Sequence, residues 1–333
     1  MQSVIQPQKT ALITGAASGV GYAIAKLCRS KGMHLLLLDI DHENLVKAKT
    51  TLTKLNSSLI TEAFVLDVAD AARWKEITTR IADIVQDIDL VVLNAGKGYK
   101  PQETETIGRL KPWLDGSYWE KVRVSLSLSL CVCLATEPLA NLILSAHKTF
   151  DTNVRGPLNG LEALLPFLTA SKNNAPKSIV ITGSKQGITN PPGAGNPAYN
   201  ASKAAIKNLT EHLAFDLRSD PATENISAHI LIPGWTWTGL MGNVGPTDEA
   251  EVKKPAGAWY PSQVAEELVK GLERGAFYIV CPDGETDPAL DQARMKWGSE
   301  DVVEGRPALS RWEENWKSRA EEAIQADAKT RRA

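Results

Sequence analysis

Tyr199-Asn200-Ala201-Ser202-Lys203 sets a phenol and an ammonium four residues apart, which on a helix is one face. A tyrosine can exchange a proton with a substrate oxygen. A free phenol, with a pKa of about 10, is too weak an acid to be an efficient base near neutrality. A neighbouring cation favours the phenolate, so Lys203 is expected to activate Tyr199. Ser184 ends an apolar run 15 residues earlier and offers a hydroxyl that can donate to a carbonyl or alkoxide oxygen. Pro191, Pro192 and Pro197 lie in that interval, which reads as a loop insertion and leaves Thr182 as the second candidate for the hydroxyl. An isolated tyrosine and lysine at this spacing are more often a surface pair, so the rest of the chain must decide.

Near the N-terminus, Thr14-Gly15-Ala16-Ala17-Ser18-Gly19-Val20-Gly21 joins a strand-like run to a helix-like one. Glycines there let the backbone turn tightly and approach a pyrophosphate at the positive end of the following helix; Gly15, Ser18, Gly19, Val20 and Gly21 are the candidate cradle. Asp39 ends the second apolar run, where a carboxylate accepts from ribose hydroxyls and repels a 2′-phosphate. No Arg or Lys occupies the turn, so the expected cofactor is NAD, with NADP disfavoured. Asp67-Val68, Asn94-Ala95-Gly96 and Pro233-Gly234 with Thr238 mark later strand ends, and Asn153 opens a later helix. Taken singly, each of these is an ordinary strand end.

Positioning these residues requires strands and helices in alternation. The runs 9–14, 33–39, 60–66, 89–94, 177–184 and 226–232 read as strands buried on both faces, separated by helix-length segments 19–31, 42–56, 70–87, 150–170 and 198–219. That order predicts an α/β, Rossmann-type doubly wound parallel sheet flanked by helices. After Pro233 the chain becomes rich in Trp, Gly and Pro, a loop whose Leu240, Met241, Trp259 and Tyr260 suggest an apolar pocket wall, with Trp235 and Trp237 as possible members or as core. A helix near 261–274 and an apolar run 276–281 close a single domain, 1–281. Residues 282–333 read as a C-terminal extension ending in a helix, with Ser310 and Glu313 as a capping box and Trp312, Trp316 and Ala323 as its stripe.

In this order the signals resemble the short-chain dehydrogenase/reductase family in its NAD-preferring form: TGxxxGxG at 14–21, the acid Asp39, Asp67-Val68, NAG at 94–96, Asn153, Ser184, YxxxK at 199–203 and PGxxxT at 233–238. The resemblance runs from about Lys9 to Thr238, more loosely to about Cys281. It implies an enzyme that moves a hydride between a nicotinamide and a secondary alcohol or ketone. Tyr199 would be acid and base, and Lys203 would also bind the nicotinamide ribose. Ser184 would bind the substrate oxygen, and Asn153 a water leading to Lys203. Asp67 and Val68 would flank the adenine, Asn94, Ala95 and Gly96 would line the cleft, and Thr238 would contact the carboxamide. A homodimer or homotetramer is also implied. The alternative, a non-catalytic NAD-binding sensor or scaffold, would need only the glycine turn and Asp39.

The 333 residues contain 43% hydrophobic and 23% charged residues, with 37 Lys and Arg against 39 Asp and Glu. A net charge of −2 offers no general attraction to nucleic acid or an anionic membrane. Cys28, Cys131, Cys133 and Cys281 form no CxxC pair and have no His at metal-ligand spacing, so no metal is expected and a reducing compartment, the cytoplasm, is. No signal or transit segment is visible.

One segment breaks the pattern. Val122–Lys148, VRVSLSLSLCVCLATEPLANLILSAHK, stands where only a loop and a helix start are needed. It reads either as an extra hairpin or lid, or as a retained intron. Its Ser-Leu and Cys-Val-Cys runs can be encoded by dinucleotide repeats, and its ends permit splice signals. Joining Lys121 to Thr149 puts Trp119, Phe150 and Val154 in helical register.

Overall fold

The computed structural model describes residues 4–98, 146–171, 174–192, 197–239, 245–284 and 286–333. Seven strands, β1 Thr10–Thr14, β2 His34–Asp39, β3 Thr61–Val65, β4 Leu90–Leu93, β5 Lys177–Thr182, β6 Ile226–Ile232 and β7 Tyr278–Val280, form one sheet in the order β3-β2-β1-β4-β5-β6-β7. Every neighbouring pair is parallel. The connecting helices are α1 Gly19–Ser30, α2 His42–Leu55, α3 Ala71–Ala82, α4 Gly156–Ala170, α5 Pro197–Ser219 and α6 Pro261–Glu273. Two more, α7 Pro288–Val303 and α8 Lys317–Arg332, follow the sheet.

Successive strand residues face opposite layers, so the sheet needs apolar side chains on both sides. Ala11, Ile13, Leu35 and Leu37 pack with Ile24 of α1, Leu45 of α2 and Leu268 of α6. The intervening Leu12, Leu36 and Leu38 pack with Trp74 and Ile77 of α3, Leu164 of α4 and Ile206 of α5. Each fully buried Leu or Ile contributes roughly 1.5–3 kcal/mol of hydrophobic stabilisation. β3 departs from the predicted two-sided burial: Glu62 and Ala63 are half-buried and Val65 is exposed. Among the described residues it pairs only with β2, which makes it the edge strand of this sheet.

The strand order reverses between β1 and β4, and in such sheets a crevice opens at the carboxyl ends of those strands. All strand-end residues singled out in the sequence therefore fall on one edge of the sheet.

In the C-terminal region, Ser310 does not cap α8, which starts seven residues later at Lys317. Ser310–Trp312 is instead a short 3-10 turn. The Ser310 hydroxyl is buried, donates to Asp301 Oδ1 and accepts from the Trp297 indole N–H. A partner buried across the chain outcompeted the local cap. The docked stripe of α8 is Ala320, Ile324 and Ala328, packed on Leu290, Ala293 and Trp297 of α7, with Trp316 and Ala323 at its margin. The segment 122–148 lies outside the described residues except for 146–148, which are helical. Among the described residues no helix is long and apolar enough to cross a membrane.

Candidate active site

The turn after β1 needs its glycines. Gly15 and Gly19 have φ of +67° and +52°, in the left-handed region. A Cβ on Gly21 would lie 2.2 Å from the Gly15 carbonyl oxygen, so α1 packs on the turn only without one. Ser18 starts α1 but makes no side-chain cap bond, and the first turn holds no acid. Its amide dipoles are thus left to an anion. Val20 is buried in the core beneath. Thr238 closes the turn from the far side, its Cβ and Cγ2 each 3.2 Å from where a Gly19 Cβ would stand.

Asp39, at the end of β2, is tied to this turn. Its Oδ2 accepts from the Ala17 N–H at 2.9 Å and its Oδ1 from the Asp41 N–H at 3.0 Å. Burial raises its carboxyl pKa, and these backbone bonds oppose the rise. Asp39 therefore braces the glycine turn, a role its position in the sequence does not disclose.

Asn94 locks the ends of β1 and β4 together. Its N–H and that of Ala95 donate to the Thr14 hydroxyl at 2.9 and 3.0 Å, and its Nδ2 donates to the Thr14 carbonyl at 3.2 Å. Its Oδ1 accepts from the Thr182 hydroxyl at 3.2 Å. Thr14, read in the sequence as the start of the glycine-turn motif, and Thr182, read as the second candidate for the substrate-side hydroxyl, thus both serve to lock the strand ends.

Asn153 sits in a π-helical turn, Asp151–Arg155, that leads into α4. Such turns inside α-helices are often found at functional sites. The buried Asn153 accepts from the Lys97 N–H at 2.8 Å and donates to the Ser202 hydroxyl at 2.9 Å. Ser202 in turn donates to the Tyr199 carbonyl at 2.8 Å, so the asparagine holds the first turn of α5. Gly96 separates two of these groups: a Cβ there would lie 3.2 Å from both Asn153 Oδ1 and Lys203 Nζ.

Tyr199 and Lys203 lie on one face of α5, with Nζ 5.8 Å from the ring centroid. The buried ammonium donates to the Thr182 carbonyl at 2.7 Å. Burial lowers the Lys203 pKa to about 8. Tyr199 shares a hydrogen bond with Ser184, which lowers its pKa, but burial is the larger influence and the phenol ends above its ordinary value. Activation of the phenol by Lys203, expected from the sequence, is therefore not the leading effect in this structure. The hydroxyl that reaches Tyr199 is that of Ser184. Ser184 is oriented by the Gln186 N–H, which donates to its oxygen at 3.2 Å.

The remaining expectations divide. Asp67 and Val68 follow β3, but Val68 is buried against Gly156 and its carbonyl accepts from Trp74 and Asn159. Pro233 and Gly234 follow β6. Trp259 packs on the core, and the Tyr260 hydroxyl donates to the Val252 carbonyl at 3.0 Å. These two are therefore held by the scaffold. Leu240 and Met241 lie outside the described residues. No group of His, Cys, Asp or Glu that could hold a metal occurs among the described residues.

A glycine turn at the switch point of a parallel sheet, an uncapped helix start facing it and a tyrosine–lysine helix face beside it define a nucleotide-binding oxidoreductase of Rossmann type. The short chain dehydrogenase profile matches residues 9–114 and 141–249, well over half of the sequence. The chain belongs to that family of NAD(P)-dependent enzymes. The match is interrupted over a stretch that overlaps Val122–Lys148 and resumes inside it.

Over 263 residues the chain is 28% identical to 2,3-dihydro-2,3-dihydroxybenzoate dehydrogenase of Bacillus subtilis, covering 79% of this chain and 78% of that one. It is 27% identical to oxidoreductase UcpA of Escherichia coli over 310 residues, 90% of this chain and 95% of that one. A short chain dehydrogenase/reductase of Burkholderia phymatum, solved in complex with NAD, superposes with a TM-score of 0.67 at 25% identity, covering 90% of this chain and 96% of that one.

Proposed function

We propose that this protein is an NAD(H)-preferring dehydrogenase that interconverts a secondary alcohol and a ketone, with Tyr199 as proton carrier. The observation that supports it most is the chain of neighbours in which Ser184 hydrogen-bonds Tyr199, Lys203 Nζ lies 5.8 Å from the Tyr199 ring and Gly96 leaves room for Lys203 and Asn153 together, with a glycine turn braced by Asp39. When bound, the nicotinamide gives or takes the hydride at the substrate carbon. In the reductive direction Tyr199 Oη delivers its proton to the carbonyl oxygen, while the Ser184 hydroxyl donates to that same oxygen and holds it at the phenol. Lys203, buried and partly ready to shed its proton near pH 8, offers its ammonium to the nicotinamide ribose and to the developing phenolate. Asn153 keeps the first turn of α5 in place and, with it, the route by which a proton reaches Lys203. Gly15, Ser18, Gly19, Val20 and Gly21 cradle the pyrophosphate and Asp39 takes the adenosine ribose. Asp67 and Val68 flank the adenine, Asn94, Ala95 and Gly96 line the cleft, and Pro233, Gly234 and Thr238 close over the nicotinamide end.

Phe150 just before the π-helical turn and Leu158 at the start of α4, with Leu209 and Phe215 on α5, are large apolar side chains left exposed, which supports pairing of two copies through these helices. Cys28 and Cys281 are free, buried thiols, in keeping with a reducing compartment such as the cytosol.

The test is NADH oxidation with a panel of ketones, run beside Tyr199→Phe. The variant keeps the ring and loses the proton carrier, so NADH binding by calorimetry should survive while kcat falls by about 10³-fold or more. Normal turnover in the variant would show that the proton comes from elsewhere. NADH binding without turnover of any ketone, or of any alcohol with NAD, would favour the sensor or scaffold alternative.

A further inference from the structure

Lys185, the residue after Ser184, is buried and ends between two carboxylates. Its Nζ lies 3.1 Å from Asp283 Oδ1, just beyond β7, and 2.5 Å from Asp291 Oδ2 in α7. Asp291 is itself buried. The second oxygen of Asp283 accepts from the Trp235 N–H at 2.5 Å. A Cβ on Gly234 would stand 1.9 Å from that oxygen, so the carboxylate reaches its place only because this residue is glycine.

The same two loops are also joined through their backbones. The Gly183 N–H donates to the Leu231 carbonyl at 2.7 Å and the Lys185 N–H to the Pro233 carbonyl at 3.1 Å. One ammonium and one carboxylate thus tie the loop that bears Ser184 to the loop that runs from Pro233 to Thr238, and the second carboxylate comes from outside the sheet. α7 and α8 have their own small core of Leu290, Ala293, Trp297, Ala320, Ile324 and Ala328. Where α7 faces the rest of the molecule, it packs on the single turn Gln186–Thr189, immediately after Lys185.

We propose that Lys185, Asp283 and Asp291 are positioning residues through which the C-terminal helix pair fixes Ser184 and the Pro233–Thr238 loop against Tyr199. The proposal rests on the oxidoreductase reading above for its kinetic consequence but not for its structural one. A carbonyl oxygen must meet Ser184 and Tyr199 together, and misplacement by about 1 Å can cost 10²-fold in rate. Among the described residues no hydrogen bond or ion pair joins Lys185, Asp283 or Asp291 to the glycine turn or to Asp39, and the loop they hold meets that turn only through Thr238 against Gly19, so the adenosine half of the cofactor should be bound as before.

The experiment uses the full chain and three variants. Asp291→Asn keeps the shape and removes one charge from the C-terminal side, Lys185→Met removes the hub, and Lys185→Arg restores a cation. Hydrogen–deuterium exchange is read by peptide, with steady-state reduction of whichever panel ketone the wild type accepts. In Asp291→Asn, exchange should rise about tenfold in peptides covering 183–190 and 233–239 and stay unchanged in β1 to β3. The kcat should fall by roughly 10- to 100-fold, KM for NADH should move by less than about threefold, and Lys185→Arg should recover most of the rate. If Lys185→Met does not fold, Asp291→Asn carries the test alone. Wild-type exchange and kcat in Asp291→Asn would overturn the proposal. So would exchange that rises equally over the whole sheet, with KM and kcat changing together, because the triad would then be general scaffolding. A wild type inert towards every ketone would sink the oxidoreductase reading, and the exchange pattern would still decide the triad.

Discussion

Lys203→Met should make the cofactor-free protein more stable while it destroys the enzyme. The Lys203 ammonium is buried and its pKa falls from 10.5 to about 8 because burial penalises the charged form. Between those values the unfolded chain binds more protons than the folded one, so stability rises with pH across that window and the full penalty is present below pH 8. A shift of this size corresponds to about 3 kcal/mol. Methionine fills similar volume without charge, but it strands the Thr182 carbonyl that now accepts from Nζ, which costs about 1 kcal/mol. The net expectation at pH 7 is a gain of about 2 kcal/mol, a melting temperature higher by several degrees. The advantage should shrink as pH is raised from 8 towards 10.5, since wild-type Lys203 then sheds its proton on its own. Saturating NADH should reverse the order, because ligand at about 100 times its Kd adds roughly 2.7 kcal/mol to whichever protein binds it. Thermal melts of both proteins at pH 7 and near pH 10, with and without NADH, read all three effects. A variant that melts well below wild type at pH 7, or a difference that does not move with pH, would refute the reasoning.

Three other outcomes are expected, two from the geometry and one from the sequence. Asp39→Ala should narrow a preference of at least about tenfold for NAD over NADP, worth about 1.4 kcal/mol, and should also lower the melting temperature because the Ala17 and Asp41 amides lose their acceptor; calorimetry with both cofactors, beside a melt, separates the two effects. Gly96→Ala places a methyl 3.2 Å from both Lys203 Nζ and Asn153 Oδ1 and should cut kcat by roughly tenfold with little change in melting temperature, a split that kinetics and calorimetry can measure. A chain lacking residues 122–148, whose uncharged Ser-Leu alternation has the character of an aggregation-prone segment, should be more soluble, oligomeric and more active than the full chain; an unfolded product, with a mature transcript that encodes all 27 residues, would make the segment a true structural element.

Much of this molecule is legible in its sequence because the chemistry is local. Gly15, Gly19 and Gly21 announce a turn that no other residue type fits, and strands such as Leu35–Leu38 are apolar on both faces because helices cover both sides. Tyr199 and Lys203 share a face simply by being a helical turn apart. Legibility fails where a partner is distant in the chain. Nothing beside Ser310 in the sequence says that Asp301 and Trp297 will claim its hydroxyl, so a good capping pattern misled. Edge position, which exposes Val65, is a property of the sheet and not of β3 itself. Tyr199 is a related case: spacing gives the neighbour Lys203, but only the fold gives the burial that raises the phenol pKa against the Ser184 hydrogen bond.

The same distinction explains why the cost of this site is spread so widely. A buried ammonium at Lys203 and a half-buried carboxylate at Asp39 are each held where loss of solvent disfavours the charged form. Among the described residues neither has an ion-pair partner; both are held by backbone groups, the Thr182 carbonyl for one and the Ala17 and Asp41 amides for the other. Backbone partners cannot be lost to side-chain rotation, but they stay in place only while the strand ends do. The Thr14–Asn94–Thr182 bonds across β1, β4 and β5 secure those ends on the cofactor side. On the other side, where β5, β6 and β7 end, the Lys185 triad stands in the equivalent place. A site whose charges depend on backbone geometry has to be braced on both flanks, and here the second brace reaches into helices that lie beyond the sheet.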